Sequence, residues 1–533
     1  MTFVITQGCC DDASCIAVCP VQCIRPRPGD PDFTTAEQLY IDPATCIDCG
    51  ACMDECPVSA IYSEWDLPEE FSDFLQINAD YFATNPIEES SPADPVRRTL
   101  PADRPELSVA IVGTGPAGCY AAAELSDIKG VTVSLFDRLP TPFGLVRAGV
   151  APDHANTKQI TKRFNGLFSR PNVNAFLNVE VGQDVTIDEL LQHHHAVIWS
   201  AGASDDRKLG IEGESLAGSV SAREFVAWYN GHPDFADQEY DLSGKRVVVI
   251  GNGNVALDVA RVLAQPVEAL AKTEAADHAI DALRESSVEE VVVTARRGPE
   301  FAAYTTGEMI GLHHVDGVRV AVVEDEVASA VRDVPRVAKV LGPALEAAGA
   351  GEERSVTFRF GLTPSKINGN GAVQSVTFQH ADGSLEEIEA GLVVRAIGYR
   401  GQEVEGLPFD EQAGVIPNVA GSVCDPETGE SVAGIYCSGW IKRGATGIIG
   451  TNKADSAETV DSLLRDFGAG RLPTPEYDVA HLATLVLDRC PDLVDAEGWQ
   501  RIDQAERKAG RRARRPRAKL VTVDELLAAS RAG

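Results

Sequence analysis

Cys46, Cys49, Cys52 and Cys56 follow one another as CxxCxxCxxxC, and Pro57 closes the run. Three thiolates spaced by three residues wrap one iron-sulfur cluster, and a fourth placed just before a proline is carried away toward a second cluster. An earlier copy of the pattern runs from Cys9 to Pro20: Cys15, Cys19 and Pro20 keep their spacing, Cys9 stands upstream, and Asp12 occupies the middle position. Each copy is followed by a short apolar stretch, Val21 to Ile24 and Val58 to Ile61, which marks an internal duplication. Nine of the thirteen cysteines lie between Cys9 and Cys56, a clustering that favours metal over disulfides. No CxxC occurs after residue 56, so dithiol chemistry is not expected.

Two further motifs must supply what such a centre receives. The apolar strand from Ser108 to Val112 runs into Gly113, Gly115 and Gly118, spaced as GxGxxG, and then into an Ala-rich helix. Glycines there let the backbone approach a pyrophosphate at the helix N-terminus, and Asp137, at the end of the next strand, is placed to take ribose hydroxyls. A second fingerprint of the GxGxxA form spans Gly251 to Ala256 and includes Asn252, Gly253, Asn254 and Val255. The strand from Val288 to Thr294 then ends in Arg296 and Arg297, where a site for the bare ribose of NAD would show an acid. Guanidinium forks match a phosphate, so the 2'-phosphate of NADP is favoured.

Between these motifs, residues 141–154 are too polar and Gly/Pro-rich for a core helix and read as a loop lining the first cofactor. The stretch from Gly391 to Tyr399 reads as the return to the first domain, and Trp440, in a Gly-rich loop that enters a helix at Thr446, reads as a stacking surface. His193, His194 and His195 cannot all face one ion on a strand, where alternate side chains point oppositely, and read as a polar strand entrance.

The bulk composition agrees. A chain of 533 residues is too long for one core, and a formal net charge of -33 argues against nucleic-acid binding. The N-terminus lacks a signal-peptide pattern and no segment is apolar enough to enter a membrane, so a cytoplasmic protein is expected. The basic run from Glu506 to Lys519 reads as a solvated helix face, or as a patch that grips an acidic redox partner or the iron-sulfur domain.

On these motifs, residues 1–86 resemble a bacterial-type two-cluster ferredoxin of the actinobacterial kind, its helical extension included. The resemblance implies one 4Fe-4S cluster on Cys46, Cys49, Cys52 and Cys19, and a second on Cys9, Cys15 and Cys56. The second is either 3Fe-4S or a 4Fe-4S with its fourth iron on Asp12; Cys10 is a competing ligand, and Cys23 reads as a buried thiol. Residues 106 to about 500 resemble the adrenodoxin reductase family of NADPH-ferredoxin reductases. That likeness implies FAD on Gly115, Asp137, Leu145, Val181, Trp440 and Gly447, Ile448 and Ile449, with NADP on residues 252–255, Arg296, Arg297, Glu308 and Gly447. It places His154 near the nicotinamide as a tuning or positioning group.

The expected fold class is α/β, with two Rossmann-like three-layer dinucleotide domains preceded by an α+β ferredoxin-like domain. The expected boundaries are ferredoxin 1–86, Pro-rich linker 87–105, FAD domain 106–215 and 386–470, NADP domain 216–385, and a C-terminal segment 471–533. The expected enzyme is a ferredoxin–NADP(+) reductase: NADPH gives only a hydride, an iron-sulfur cluster takes one electron at a time, and FAD joins the two. Its acceptor would be a ferredoxin or a cytochrome-type oxygenase. The alternatives are an electron-input subunit resembling the small subunit of glutamate synthase, and a redox-sensing module without turnover.

Overall fold

The computed structural model describes residues 2–87, 98–346 and 354–532. Most of the expected linker, residues 88–97, lies outside the described residues.

The first 87 residues form a small α+β unit. Strand Phe3–Ile5 pairs antiparallel with Ile61–Ser63, and Ile24–Arg25 pairs with Tyr40–Ile41. The two halves of the duplication each contribute a short helix, Ser14–Ala17 carrying Cys15 and Ala51–Glu55 carrying Cys52. Helix Asp73–Thr84, the expected extension, closes over both hairpins. Its buried Asn78 accepts from the amides of Ile5 (3.2 Å) and Ile41 (2.9 Å) and donates to the Ile5 carbonyl (2.8 Å). One side chain thus satisfies edge groups that burial would otherwise leave unpaired.

The next region is organised on a seven-stranded sheet, in the order Asn418–Val419, Ser422–Cys424, Ser431–Cys437, Ala196–Trp199, Leu107–Val112, Val131–Asp137, Val173–Leu177. Its central strands are parallel and nearly all apolar, as expected where both faces are covered. Helices Pro116–Ser126 and Thr451–Gly468 cover one face together. Pro116 sits in the first helical turn, where its missing N–H costs nothing.

The third region holds a six-stranded parallel sheet in the order Ser219–Ser221, Leu392–Arg395, Arg246–Ile250, Glu290–Thr294, Arg354–Arg359, Val318–Val322. A three-stranded antiparallel meander, residues 363–389, packs beside it. Strand Leu392–Arg395 therefore belongs to this sheet and not to the first, where the sequence reading put it. The crossing back comes at Tyr399–Arg400, which pairs with the outgoing Asp205–Asp206. Both sheets are Val/Ile-rich and parallel, so an isolated apolar strand does not declare its sheet.

Helices Ala496–Arg512 and Val523–Arg531 end the chain. The basic run is only in part a solvated face, with Lys508, Arg511, Arg512 and Arg514 exposed, and its buried part grips the two dinucleotide regions. Glu506 is fully buried and takes Arg147 (2.5 and 3.0 Å) and Arg517 (2.5 Å), while buried Lys519 donates to the carbonyls of Arg147 and Asn230. Burial opposes ionisation of Glu506, but the two guanidiniums outweigh it and hold the carboxyl below the usual range. The run clamps the loop after the first fingerprint to the second dinucleotide region.

Candidate functional site

The cysteines converge on two cavities. The inner one is lined by Cys9, Cys10, Cys15 and Cys56 among apolar neighbours such as Leu39 and Val58. The outer one is lined by Cys19, Cys23, Cys46, Cys49 and Cys52. The cysteine before each proline thus sits with the other half's set, as the spacing predicts. Burial pushes the Cys9 and Cys15 thiols up, and pushes Cys52 up to about 12. Cys19 is drawn down to about 6 by its bond with Cys23 (3.4 Å). Thiols packed this closely and kept from ionising by burial need a cation among them to become thiolates, so the donor set fits iron-sulfur clusters.

Asp12, which the sequence left open as the holder of a fourth iron, lines the inner cavity. It is buried, and both its oxygens are taken: Tyr120 donates at 2.8 Å, Arg163 at 3.0 Å, Ser14 also donates, and the Lys453 ammonium lies 3.6 Å away. Its carboxyl is held below the usual range by Lys453, Ser14 and Arg163 against the opposing effect of burial. The carboxylate that meets a thiol in the inner cavity is that of Asp11, 3.3 Å from Cys9 Sγ, with its pKa lifted to about 7 by burial.

At the first fingerprint, a Cβ on Gly118 would overlap the Gly113 carbonyl, and one on Gly113 would lie 2.6 Å from the Ser200 carbonyl. A Cβ on Gly115 would meet nothing within 4 Å. The outer glycines therefore let the helix pack, and the middle one leaves the open approach that a pyrophosphate needs. Asp137 accepts from the Thr114 amide (2.9 Å) and hydroxyl (2.6 Å) and from the Leu139 amide (3.1 Å), which fixes its carboxylate beside that opening. Leu145 is partly exposed on the short helix Gly144–Ala148, and Val181 is buried. Trp440 begins the short helix Trp440–Arg443, donates to the Thr446 carbonyl (3.0 Å) and lies 5.4 Å from the Tyr399 ring. Gly447, Ile448 and Ile449 lead directly into helix Thr451–Gly468. These residues fit a flavin dinucleotide.

At the second fingerprint, helix Asn254–Ala264 starts at Gly253, and Asn254 Oδ1 accepts from the Thr305 amide (2.8 Å), tying this helix to helix Thr306–His313. Arg296 and Arg297 are exposed, and among the described residues neither pairs with a carboxylate; the Arg297 guanidinium sits 5.1 Å over Phe301. Between the fingerprints lies a set of charges of which sequence reading named His154 and Glu308 but missed Arg261, Asp153 and Asp258. Arg261 donates to Asp153 (2.8 and 3.1 Å), Asp258 (2.6 Å) and His154 Nε2 (2.8 Å), and Glu308 lies 3.7 Å from it and 3.6 Å from His154. Because a guanidinium only donates, His154 Nε2 is the acceptor and Nδ1 carries the proton. Burial raises the Glu308 carboxyl, and the guanidinium holds Asp153 well below the usual range against burial. His154, Asp258 and Glu308 are close enough to hold an ion. Arg261 already stands among them as the cation.

The pattern of the pyridine nucleotide-disulphide oxidoreductase family matches residues 107–444. The chain belongs to that family. A second pattern, that of the 4Fe-4S binding domain, matches residues 39–62. A probable ferredoxin/ferredoxin--NADP reductase of Mycobacterium leprae (strain TN) is 46% identical over 542 residues, covering 99% of this chain and 98% of its own. NADPH-ferredoxin reductase FprA of Mycobacterium tuberculosis (strain ATCC 25618 / H37Rv) is 43% identical over 79% of this chain and 98% of its own. The solved structure of Mycobacterium tuberculosis FprA in complex with NADPH superposes with a TM-score of 0.76 at 41% identity, covering 80% of this chain and 100% of its own.

The chain is accordingly a flavin- and NADP-dependent oxidoreductase carrying a 4Fe-4S binding domain. The histidine triplet is structural: buried His194 bonds the Leu190 carbonyl (2.9 Å) and Ser134 Oγ (2.9 Å), His193 bonds the Glu189 carbonyl (2.7 Å), and His195 bonds Ser108 Oγ (3.0 Å). His193 and His194 both bond carbonyls of helix Ile187–His193 while His195 turns to Ser108, so the three rings share no ion site. No helix among the described residues is long and apolar enough to cross a membrane.

Proposed function

We propose that this protein is an NADPH-dependent ferredoxin reductase that delivers electrons through its own iron-sulfur domain to an external acceptor. The observation that carries this reading is the meeting, in one chain, of two thiol-lined cavities with two Gly-rich dinucleotide sites. Relatives matched over 99% of the chain support it, and they do not favour the input-subunit alternative. FAD, when bound, accepts a hydride and gives up electrons singly to iron-sulfur clusters. Per turnover, one NADPH yields NADP+, a proton and two electrons, which reduce two one-electron acceptors.

The chain's residues prepare these transfers. Gly115 opens the backbone for FAD pyrophosphate and Asp137 holds its ribose, while Leu145, Val181, Trp440 and residues 447–449 line the ring. Arg296 and Arg297 take the 2'-phosphate, with residues 252–255 at the pyrophosphate. His154 is a positioning group, oriented by Arg261 with Nε2 accepting. Cys46, Cys49, Cys52 and Cys19 hold a 4Fe-4S cluster; Cys9, Cys15 and Cys56 hold a second cluster of three or four irons. The acceptor is a ferredoxin or a cytochrome-type oxygenase. None of the thirteen cysteines forms a disulfide, which fits a reducing, cytoplasmic compartment.

The test is an anaerobic NADPH titration of the purified protein, following flavin absorbance and cluster EPR, with an iron count on the same sample. Bleaching of flavin followed by reduced-cluster signals is the expected result. A flavin that NADPH does not bleach overturns the reading.

A further inference from the structure

The iron-sulfur unit does not hang from the reductase as a separate bead. Asp12 is held by Tyr120 from helix Pro116–Ser126, Arg163 from helix Ile160–Asn165 and Lys453 from helix Thr451–Gly468, three elements of the first dinucleotide region. Lys453 also donates to the Asp12 carbonyl (2.9 Å) and to Ser14 (3.1 Å). The Gly450 amide donates to the Cys10 carbonyl (2.6 Å), and a Cβ on Gly450 would overlap the Asp11 backbone. Gly450 directly follows residues 447–449. Cys10, Val58 and Ala60 belong to the same buried core as Tyr120 and Phe143, with Cys9, Cys56 and Ile449 packed against it.

The outer cavity faces the other way. Phe3, Cys23, Ile24, Ile41 and Cys52, which line it, belong to the iron-sulfur unit's own core. Cys49 is the exposed cysteine among the described residues, flanked by Ile47 (58% exposed) and Met53 (45% exposed). The unit also leans on the second region: Glu37 accepts from the Thr306 amide (2.8 Å) and pairs with Arg336 (3.1 Å).

We infer that the iron-sulfur domain is a docked relay of fixed polarity. Electrons enter at the inner thiol set of Cys9, Cys15 and Cys56 and leave from the outer set through Cys49; Asp12 is the positioning residue that holds the inner set against the flavin loop. This rests on the function proposed above. Of the two electrons from each NADPH, each passes singly over the inner set and then the outer set to a one-electron acceptor protein, and both sets return to their oxidised level. Asp12, with both oxygens occupied, is a clamp and not an iron ligand.

The experiment uses the full-length holoenzyme under anaerobic conditions, mixed rapidly with NADPH, with flavin followed by absorbance and the two iron signals by freeze-quench EPR. In the wild type the inner signal changes first. In Asp12→Ala, iron content and the dithionite-reduced spectra match wild type and flavin bleaches at the wild-type rate. The step from flavin to iron slows roughly tenfold or more, because misplacing a donor by an ångström carries penalties of this order. Lys453→Met loosens the same clamp from the other side and slows the same step. In Met53→Glu, at the exposed rim beside Cys49, NADPH still reduces both sets while reduction of an added ferredoxin is slowed.

Two results overturn the polarity, an outer signal that changes first or an unslowed reduction of added ferredoxin in Met53→Glu; an unslowed flavin-to-iron step in Asp12→Ala overturns the clamp. Loss of iron in Asp12→Ala makes Asp12 a ligand and overturns the clamp. Failure of the underlying function differs from all of these, because the wild-type flavin would then not bleach with NADPH at all.

Discussion

Arg296 and Arg297 stand at the end of a strand with their guanidiniums turned to solvent and free of carboxylate partners among the described residues. Charge-assisted bonds to a phosphate are worth about 1.5–3 kcal/mol each, or roughly 10–100-fold in affinity. Arg296→Ala is accordingly expected to raise KM for NADPH by about that factor and leave kcat within about twofold, since the lost contact is equal in ground and transition states. Steady-state kinetics with NADPH and NADH checks this, and an unchanged preference between the two would remove the pair from the site. The pair stood out in the sequence because a basic doublet ends the strand where a site for NAD would show an acid. Arg261 was not: on helix Asn254–Ala264 it reads as one more helical charge, and its partners Asp153 and His154 lie over a hundred residues upstream. The contacts of Asp12 were hidden for a related reason. Its spacing from Cys9 is that of a ligand, but Tyr120, Arg163 and Lys453, which engage it, come together only in the folded chain.

Among the elements, those whose spacing is fixed by chemistry were readable in advance. The two cysteine runs, both glycine fingerprints and helix Asp73–Thr84 all lie where the sequence put them. Strand Leu392–Arg395 was assigned to the wrong sheet because pairing partners leave no mark on a buried parallel strand. The turn at Gly450 is the element on which two regions depend. Its amide holds the Cys10 carbonyl, and even a methyl group would overlap the Asp11 backbone. Gly450→Ala is expected to lower the melting temperature modestly and to speed amide hydrogen exchange in residues 9–14, with iron content retained. Exchange mass spectrometry of wild type and variant reads this directly, and unchanged protection would mean the loop does not depend on that approach.

At the scale of the whole molecule, the C-terminal helix pair fastens the regions through one buried carboxylate. Glu506→Gln leaves Arg147 and Arg517 short of a buried partner, a loss of about 3–5 kcal/mol that urea unfolding at neutral pH measures. Because the folded carboxyl is held below its unfolded value, its contribution is complete above the ordinary glutamate range and fades as pH falls through the folded value. The gap between wild type and Glu506→Gln should therefore narrow in acid. A count of charges along residues 506–519 cannot reveal this, since the same arginines serve equally well turned outward or inward. The seam between Gly450 and the Cys9 to Ser14 loop has a kinetic consequence as well. A carrier seated on its donor turns a collision between two proteins into a first-order event, so the flavin-to-iron rate should not change with protein concentration. Competition among acceptors is thereby displaced from the flavin to the rim around Cys49, and the choice of client is made there.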